Sequence, residues 1–370
     1  MSTPPLILVS AGGTGGHMSP ASALTTALLE KGARVELVTD IRGTKHVKMF
    51  PDIPVHVVKS GTAHSGILGK IKGAVNLSAG MAQGFALVHK LKPDAVIGLG
   101  GYPSVPAVFA AQILGIPTGL HEQNAVIGKA NIFLAPKAKF IALSLPLPED
   151  REYSHHITSK TKVTGNPVRP EIIALRNAPY PPLEEKGALN IFVMGGSLGA
   201  TVFSTVIPQA LALLNEEQKN RLHITQQCRK ADLDEAVELY KKSGIKDVTL
   251  APFFDDVDKK LAQTHLFIGR SGAATLAEIS IAGRPAIYVP YPYHKDQQQK
   301  HNALKVAERG GAWLVEQEEF TPEALHKQIE KMLRDPQILR DAAARAKECG
   351  LPEAASDLAQ MSLRIIKQKD

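Results

Sequence analysis

Only two cysteines, Cys228 and Cys349, occur in 370 residues. That excludes a disulfide framework and a four-cysteine zinc site, and a reducing compartment is expected. No run approaches the roughly 18–20 uninterrupted apolar residues of a membrane-spanning helix. Met1–Val9 has an apolar run but no basic flank and no small-residue cleavage site, so it reads as a strand rather than a signal peptide. Acids are nearly missing from one long stretch: between Ile53 and Pro148 only Asp94 and Glu122 occur. The net charge of +7 is placed accordingly. Residues 1–166 hold 16 Lys/Arg against 9 Asp/Glu, and residues 167–370 hold 27 of each. Such a first part favours an anionic partner: a membrane face, a phosphorylated substrate or nucleic acid. Few aromatics stand among its lysines, which argues against nucleic acid.

What is present is globular: 44% apolar and 21% charged residues, in a chain long enough for two cores. Leu6–Ser10 is a buried-strand pattern ending in glycines, followed by a helical pattern from about Pro20 and a second strand at Arg34–Val38. Leu189–Met194 opens a second round of the same kind, ending in Gly195–Gly199. Repeated strand–Gly loop–helix units predict an α/β protein of two doubly wound, Rossmann-like domains. We place them at 1–166 and 167–353, with a Pro-rich stretch at Ala178–Pro182 near the junction.

Several segments carry chemistry. Gly12–His17 lies between strand and helix, where free N–H groups favour an anion or a sugar oxygen. It lacks the G-x-G-x-x-G dehydrogenase pattern, and Asp40 is the nearest candidate for a ribose acid. His17 is either a solvated histidine near a helix start, or a base or donor to phosphate in the site. Gly100-Gly101-Tyr102 is either a tight turn with a packed ring or a substrate-facing loop. His121-Glu122-Gln123-Asn124 puts four polar residues after an apolar run, as a strand end aimed into a cleft would. Arg169 follows a Gly-Asn-Pro turn and is either a surface charge or a cation reaching a diphosphate. Ser197 offers a hydroxyl and an N–H. Ser271–Thr275 opens a helix with small residues whose N–H groups would hold a diphosphate, and Glu278 is either a solvent-facing helix acid or a carboxylate accepting ribose hydroxyls. Gln298 and Gln299 are candidates for reading sugar hydroxyls. Asp232/Asp234 and Asp256/Asp258 form two D-x-D patterns but read as helix-start acids, so no metal is expected.

These seven motifs, in order from residue 12 to about 302, resemble the MurG family, the lipid II-forming N-acetylglucosaminyltransferases of peptidoglycan synthesis. The resemblance implies the GT-B glycosyltransferase fold, two Rossmann-like domains with an interdomain cleft, and a last helix at about 354–370 packed back on the first domain. It implies a hexosyltransferase moving GlcNAc from UDP-GlcNAc to the 4-hydroxyl of the muramoyl sugar on undecaprenyl diphosphate, with inversion and with no cofactor or metal. By position, Thr14, Gly15, Gly16, Asn124, Arg169, Ser197, Ala273, Ala274, Thr275, Leu276, Ala277, Glu278 and Gln298 or Gln299 would contact the donor, with Phe254 against the uracil. Gly13, Tyr102, His121 and Glu122 would face the acceptor.

His17 is the candidate base. Ile67, Leu68 and Ile71 beside Lys70 and Lys72 suit peripheral attachment to anionic headgroups, or else an amphipathic helix packed on its own domain. The expected location is the cytoplasmic face of the bacterial plasma membrane. Two competing expectations are a UDP-GlcNAc 2-epimerase or different lipid glycosyltransferase of the same fold, and a nicotinamide oxidoreductase using Asp40.

Overall fold

The computed structural model describes residues 3–61, 67–196 and 200–366, the side chains of 67–72 and 74 excepted. The chain forms two compact units, Met1–Arg169 with Leu351–Asp370, and Pro170–Gly350. The first crossing thus falls after Arg169 rather than after Asn166, and the return falls after Gly350 rather than after Glu353.

The first unit is a parallel sheet of seven strands: β1 (Leu6–Ser10), β2 (Arg34–Thr39), β3 (Val55–Val57), β4 (Ala95–Gly98), β5 (Thr118–Glu122), β6 (Phe140–Leu143) and β7 (Thr161–Val163). They are ordered β3-β2-β1-β4-β5-β6-β7. A strand buried on both faces calls for a continuous apolar run, and β1 has one from Leu6 to Val9. Its side chains alternate. Ile7 and Val9 enter a core with Leu24, Leu28, Ile97 and Leu358. Leu8 enters the opposite one with Val96, Val108, Leu120 and Ile141. Covering helices include α1 (Gly15–Glu30), α2 (Ile67–Leu91), α3 (Val105–Ile113) and α4 (Lys129–Leu134). The final helix, Ala354–Arg364, packs on α1 through buried Leu358 and Ala359.

One boundary differs from the sequence reading. The proline at residue 20 suggested a helix start, yet α1 begins at Gly15 with Pro20 inside it. Pro20 has no N–H for the Gly16 carbonyl. The first turn closes earlier, with the N–H groups of His17 and Met18 donating to the Thr14 carbonyl at 3.2 and 3.3 Å. This early start carries His17 in the helix's first turn.

The second unit is a parallel sheet of six: β8 (Leu189–Met194), β9 (Leu222–Gln227), β10 (Asp247–Ala251), β11 (Leu266–Gly269), β12 (Ala286–Tyr288) and β13 (Ala312–Leu314), ordered β10-β9-β8-β11-β12-β13. In open parallel sheets, ligands collect at the carboxyl ends of strands where the winding direction reverses. The reversals lie between β1 and β4 and between β8 and β11. The loops leaving these four strands contain Gly12–Thr14, Gly100–Gly101, Gly195–Gly196 and Arg270–Gly272.

Candidate active site

In the first unit the loop after β1 is tied down by Asp40, at the exit of β2. Asp40 is 2% exposed. One carboxylate oxygen accepts the N–H groups of Gly13 (2.9 Å) and Gly43 (3.0 Å). The other accepts Arg42 Nε (2.8 Å) and the Ser60 hydroxyl (2.9 Å). Burial pushes this carboxyl up, but Arg42 and the other donors together hold it below the usual range. With four donors engaged, Asp40 has no capacity left for a ribose, which removes the main support for an oxidoreductase. Gly13 sits at φ +86°, a region that favours glycine.

The N-cap of α1 is Thr14, without a side-chain cap bond, and its first turn has no acid. The N–H groups of such a start point along the helix dipole towards any anion. Thr14 and Gly16 are exposed, and Gly15 and His17 are half-buried. His17 Nδ1 lies 3.1 Å from Gln123 Oε1. Around that contact fold Gly100 (φ +75°) and Gly101 (φ +70°). A Cβ on Gly100 would sit 3.1 Å from Gln123 Oε1, and one on Gly101 would sit 3.3 Å from His17 Nε2. Tyr102 follows with its ring 42% exposed, so it is not a packed core ring.

The polar end of β5 is where expectation and structure part. His121 and Glu122 do not open towards an acceptor: they are 0% and 3% exposed. The pleat sends alternate side chains to opposite faces. Glu122 turns towards α4 and accepts the N–H groups of Asn124 (3.1 Å) and Gly128 (2.9 Å) and the amide of Asn131 (2.8 Å). Burial pushes its carboxyl up against the pull of those donors. His121 and Gln123 share the other face. Gln123 Nε2 donates to the Leu99 carbonyl (2.8 Å) and lies 3.2 Å from His121 Nδ1, while His121 Nε2 lies 3.1 Å from the Gly165 carbonyl. Burial pushes His121 down to about 4. Asn124 and Arg169 are half-buried at the edge of this unit.

In the second unit the helix Ala273–Ile281 begins at Gly272, again with no side-chain cap bond and no acid in its first turn. The residues before it are spent on scaffolding. Arg270 is buried and donates to the carbonyls of Val289 (3.0 Å) and Pro290 (2.8 Å) and to Gln317 Oε1 (2.6 Å). The Ser271 hydroxyl donates to the Gln299 carbonyl (2.7 Å), and the Ser271 carbonyl accepts from Asn302 Nδ2 (3.1 Å). What remains at the helix start is backbone: Ala273 and Leu276 are buried, and Ala274, Thr275, Ala277 and Glu278 are half-buried. Gln299 Oε1 accepts the Tyr291 N–H (3.0 Å), whereas Gln298 Nε2 lies 3.2 Å from His294 Nδ1.

The Phe254 ring is packed inside the unit. It is 9% exposed, edge-on to Phe192 at 5.9 Å, with Lys260 Nζ 4.7 Å from its ring centroid. Its neighbour Phe253 is 69% exposed and is the aromatic that sequence reasoning passed over. Ser197 lies outside the described residues. So do the side chains of Ile67, Leu68, Lys70, Ile71 and Lys72, whose backbone forms the first turns of α2. Asp232 is bound by Arg229 and Asp256 by Lys260. Among the described residues no three His, Cys, Asp or Glu side chains converge on a metal position.

Two doubly wound parallel units, each with an uncapped glycine-led helix start at its winding reversal, form a two-domain Rossmann-like architecture, and the family models identify its class as a glycosyltransferase. The N-terminal domain of glycosyltransferase family 28 matches residues 7–143, and the C-terminal domain of that family matches residues 190–358. The UDP-N-acetylglucosamine–N-acetylmuramyl-(pentapeptide) pyrophosphoryl-undecaprenol N-acetylglucosamine transferase of Rhodospirillum centenum is 48% identical over 98% of this chain and 95% of its own. The protein of the same name from Zymomonas mobilis is 43% identical over 97% and 92%. The crystal structure of Acinetobacter baumannii MurG superposes with a TM-score of 0.77 at 29% identity, covering 98% of this chain and 100% of that one. The chain belongs to the MurG family of glycosyltransferase family 28.

Proposed function

We propose that this enzyme transfers GlcNAc from UDP-GlcNAc to the lipid-linked N-acetylmuramoyl-pentapeptide of peptidoglycan synthesis. The observation that carries it is the near-full-length identity to relatives bearing that name, and the sites at the two winding reversals are chemically suited to it. The acceptor is the 4-hydroxyl of the muramoyl sugar. In one inverting displacement its oxygen bonds to the anomeric carbon, the carbon–diphosphate oxygen bond breaks, and the electron pair leaves on UDP. The hydroxyl proton passes to His17 Nε2. The start of the helix Ala273–Ile281 receives the diphosphate charge through backbone N–H groups, as preorganised dipoles aimed at developing charge do. Glu278 holds the ribose and Gln298 the sugar, and Arg169 and Ser197 are further candidate donors to the diphosphate. The uncapped start of α1 suits the acceptor's diphosphate.

Transfer on this reading needs no metal. Asp232 and Asp256, the leading acids of the two D-x-D pairs, are each engaged by a cation of their own helix region. On this reading the protein is a peripheral enzyme on the cytoplasmic face of the bacterial plasma membrane, with the apolar and basic sequence Ile67, Leu68, Lys70, Ile71 and Lys72 suited to anionic headgroups; among the described residues no helix is long and apolar enough to cross a bilayer. A UDP-release assay with UDP-GlcNAc, with and without a lipid I analogue and with EDTA, tests the reaction. Acceptor-dependent release that survives EDTA is expected, whereas release without acceptor, or none with it, defeats the reading. Binding to anionic vesicles at low salt, lost in the double variant Lys70→Glu and Lys72→Glu, tests the membrane site.

A further inference from the structure

We infer that Gln123 is a positioning residue whose amide holds His17 with its proton on Nδ1, so that Nε2 presents a bare lone pair to the acceptor hydroxyl. The inference rests on the reading of His17 as the base. Its geometry is independent of that reading.

Three contacts orient the Gln123 side chain. The atom 2.8 Å from the Leu99 carbonyl must be a donor, because a carbonyl oxygen only accepts. That atom is therefore the amide nitrogen. Its second hydrogen faces His121 Nδ1 at 3.2 Å, and His121 in turn directs Nε2 towards the Gly165 carbonyl at 3.1 Å. Flipping the amide would press oxygen against the Leu99 carbonyl and break both contacts. The amide oxygen is thus fixed on His17 Nδ1 at 3.1 Å, and an oxygen there requires a proton on that nitrogen. In a neutral imidazole the other nitrogen is then the acceptor.

The surroundings hold the chain in this state. His121 is fully buried and pushed down to about 4, so it stays neutral and keeps Nδ1 as an acceptor for Gln123. Gly101 carries no Cβ, which would otherwise stand 3.3 Å from His17 Nε2. The neutral amide also differs from a carboxylate in one respect that matters for a base. It sets the tautomer without adding a negative charge that would hold the proton on the imidazole. The ionisable groups around His17 are His121 and Glu122 from the end of β5, and Arg42 and His46, which lie against Gly13 and Gly15 of its loop.

Nitrogen-15 histidine labelling of the whole enzyme reads the tautomer directly. Long-range nitrogen–proton correlation at about pH 8.5, where imidazole is neutral, is assigned by the signal missing in His17→Gln. The proton is expected on Nδ1 in the wild type, with that preference lost in Gln123→Met. Turnover of Gln123→Met is expected to fall about tenfold to a hundredfold, with the donor KM within about twofold. Gln123→Glu is expected to retain the tautomer and move the acid limb of the kcat profile to higher pH. A wild-type His17 protonated on Nε2, or a Gln123→Met enzyme with full turnover, overturns the inference. Unchanged turnover in His17→Ala removes the base reading instead and leaves the spectrum to decide the tautomer.

Discussion

The two glycine-led helix starts were built from the same plan and furnished differently. In the first unit the start of α1 carries an ionisable side chain in its first turn, and three neighbouring segments converge on it: Asp40 braces the loop, Gln123 orients the ring, and Gly100–Gly101 border it without a Cβ. In the second unit every polar side chain just before the helix Ala273–Ile281 is turned inwards, Arg270 to three oxygen acceptors and Ser271 to the Gln299 carbonyl. The first turn of α1 holds the ionisable His17, whereas the first turn of the second helix holds Ala273, Ala274 and Thr275, none of them ionisable at neutral pH. On the proposed reading the first start moves a proton and the second binds the diphosphate.

That contrast can be broken in order of expected size. His17→Ala should lower turnover by about a hundredfold to ten-thousandfold, the range of general acid–base catalysis, with the donor KM little changed. Steady-state kinetics in both substrates reads it, and near-normal turnover would return both helix starts to binding roles.

The second test is pH. His121 is held at about 4 in the folded chain against 6.5 for a free histidine. Between those values the unfolded chain binds the proton and the folded one resists it, so stability must fall as pH drops through that window. The loss is on the order of 3 kcal/mol. Urea unfolding of wild type and His121→Gln should diverge in slope between about pH 6.5 and 4, with the variant flatter; parallel curves would mean His121 does not carry the proton linkage.

Asp40→Ala comes next. It strands the buried N–H groups of Gly13 and Gly43, at about 1–3 kcal/mol for each unsatisfied group, so the melting temperature should drop and turnover should fall with the loosened loop. The depressed pKa of Asp40 gives the wild type stability that is present above the ordinary aspartate range and lost as pH falls through the folded value. An unchanged melting temperature would mean the loop does not need its brace. The smallest effect belongs to the second unit: Glu278→Ala should raise the donor KM about tenfold, the scale of one hydrogen bond to a charged group, and leave kcat nearly intact. A kcat loss there would blur the division between the units.

Much of this was legible before any coordinates. Continuous apolar runs ending in glycine marked β1 and β8, and the winding reversals put their loops where ligands collect. The roles within the polar end of β5 were not legible in the same way. His121 and Glu122 looked like site residues because polar groups after an apolar run suggest exposure, but burial is decided by what packs over the strand end, here α4 and the Gly165 turn. Strand parity was the signal that would have helped: it groups His121 with Gln123 and sets Glu122 apart. Phe254 was misjudged for a related reason. Two adjacent phenylalanines must divide between core and surface, and composition does not say which ring goes where. Asp40 hid its role because its partners are backbone N–H groups, which no motif records.

The helix Ala354–Arg364 has a consequence for how the protein is made. Leu358 and Ala359 complete a core that includes Ile7, Val9, Leu24 and Leu28, more than 300 residues earlier in the chain, and no member from Pro170–Gly350. On a ribosome adding about 5–20 residues per second, that apolar face waits roughly 10–40 s while the whole of Pro170–Gly350 emerges. The second unit, contiguous in sequence, is free to fold first. The unit synthesised first is finished last.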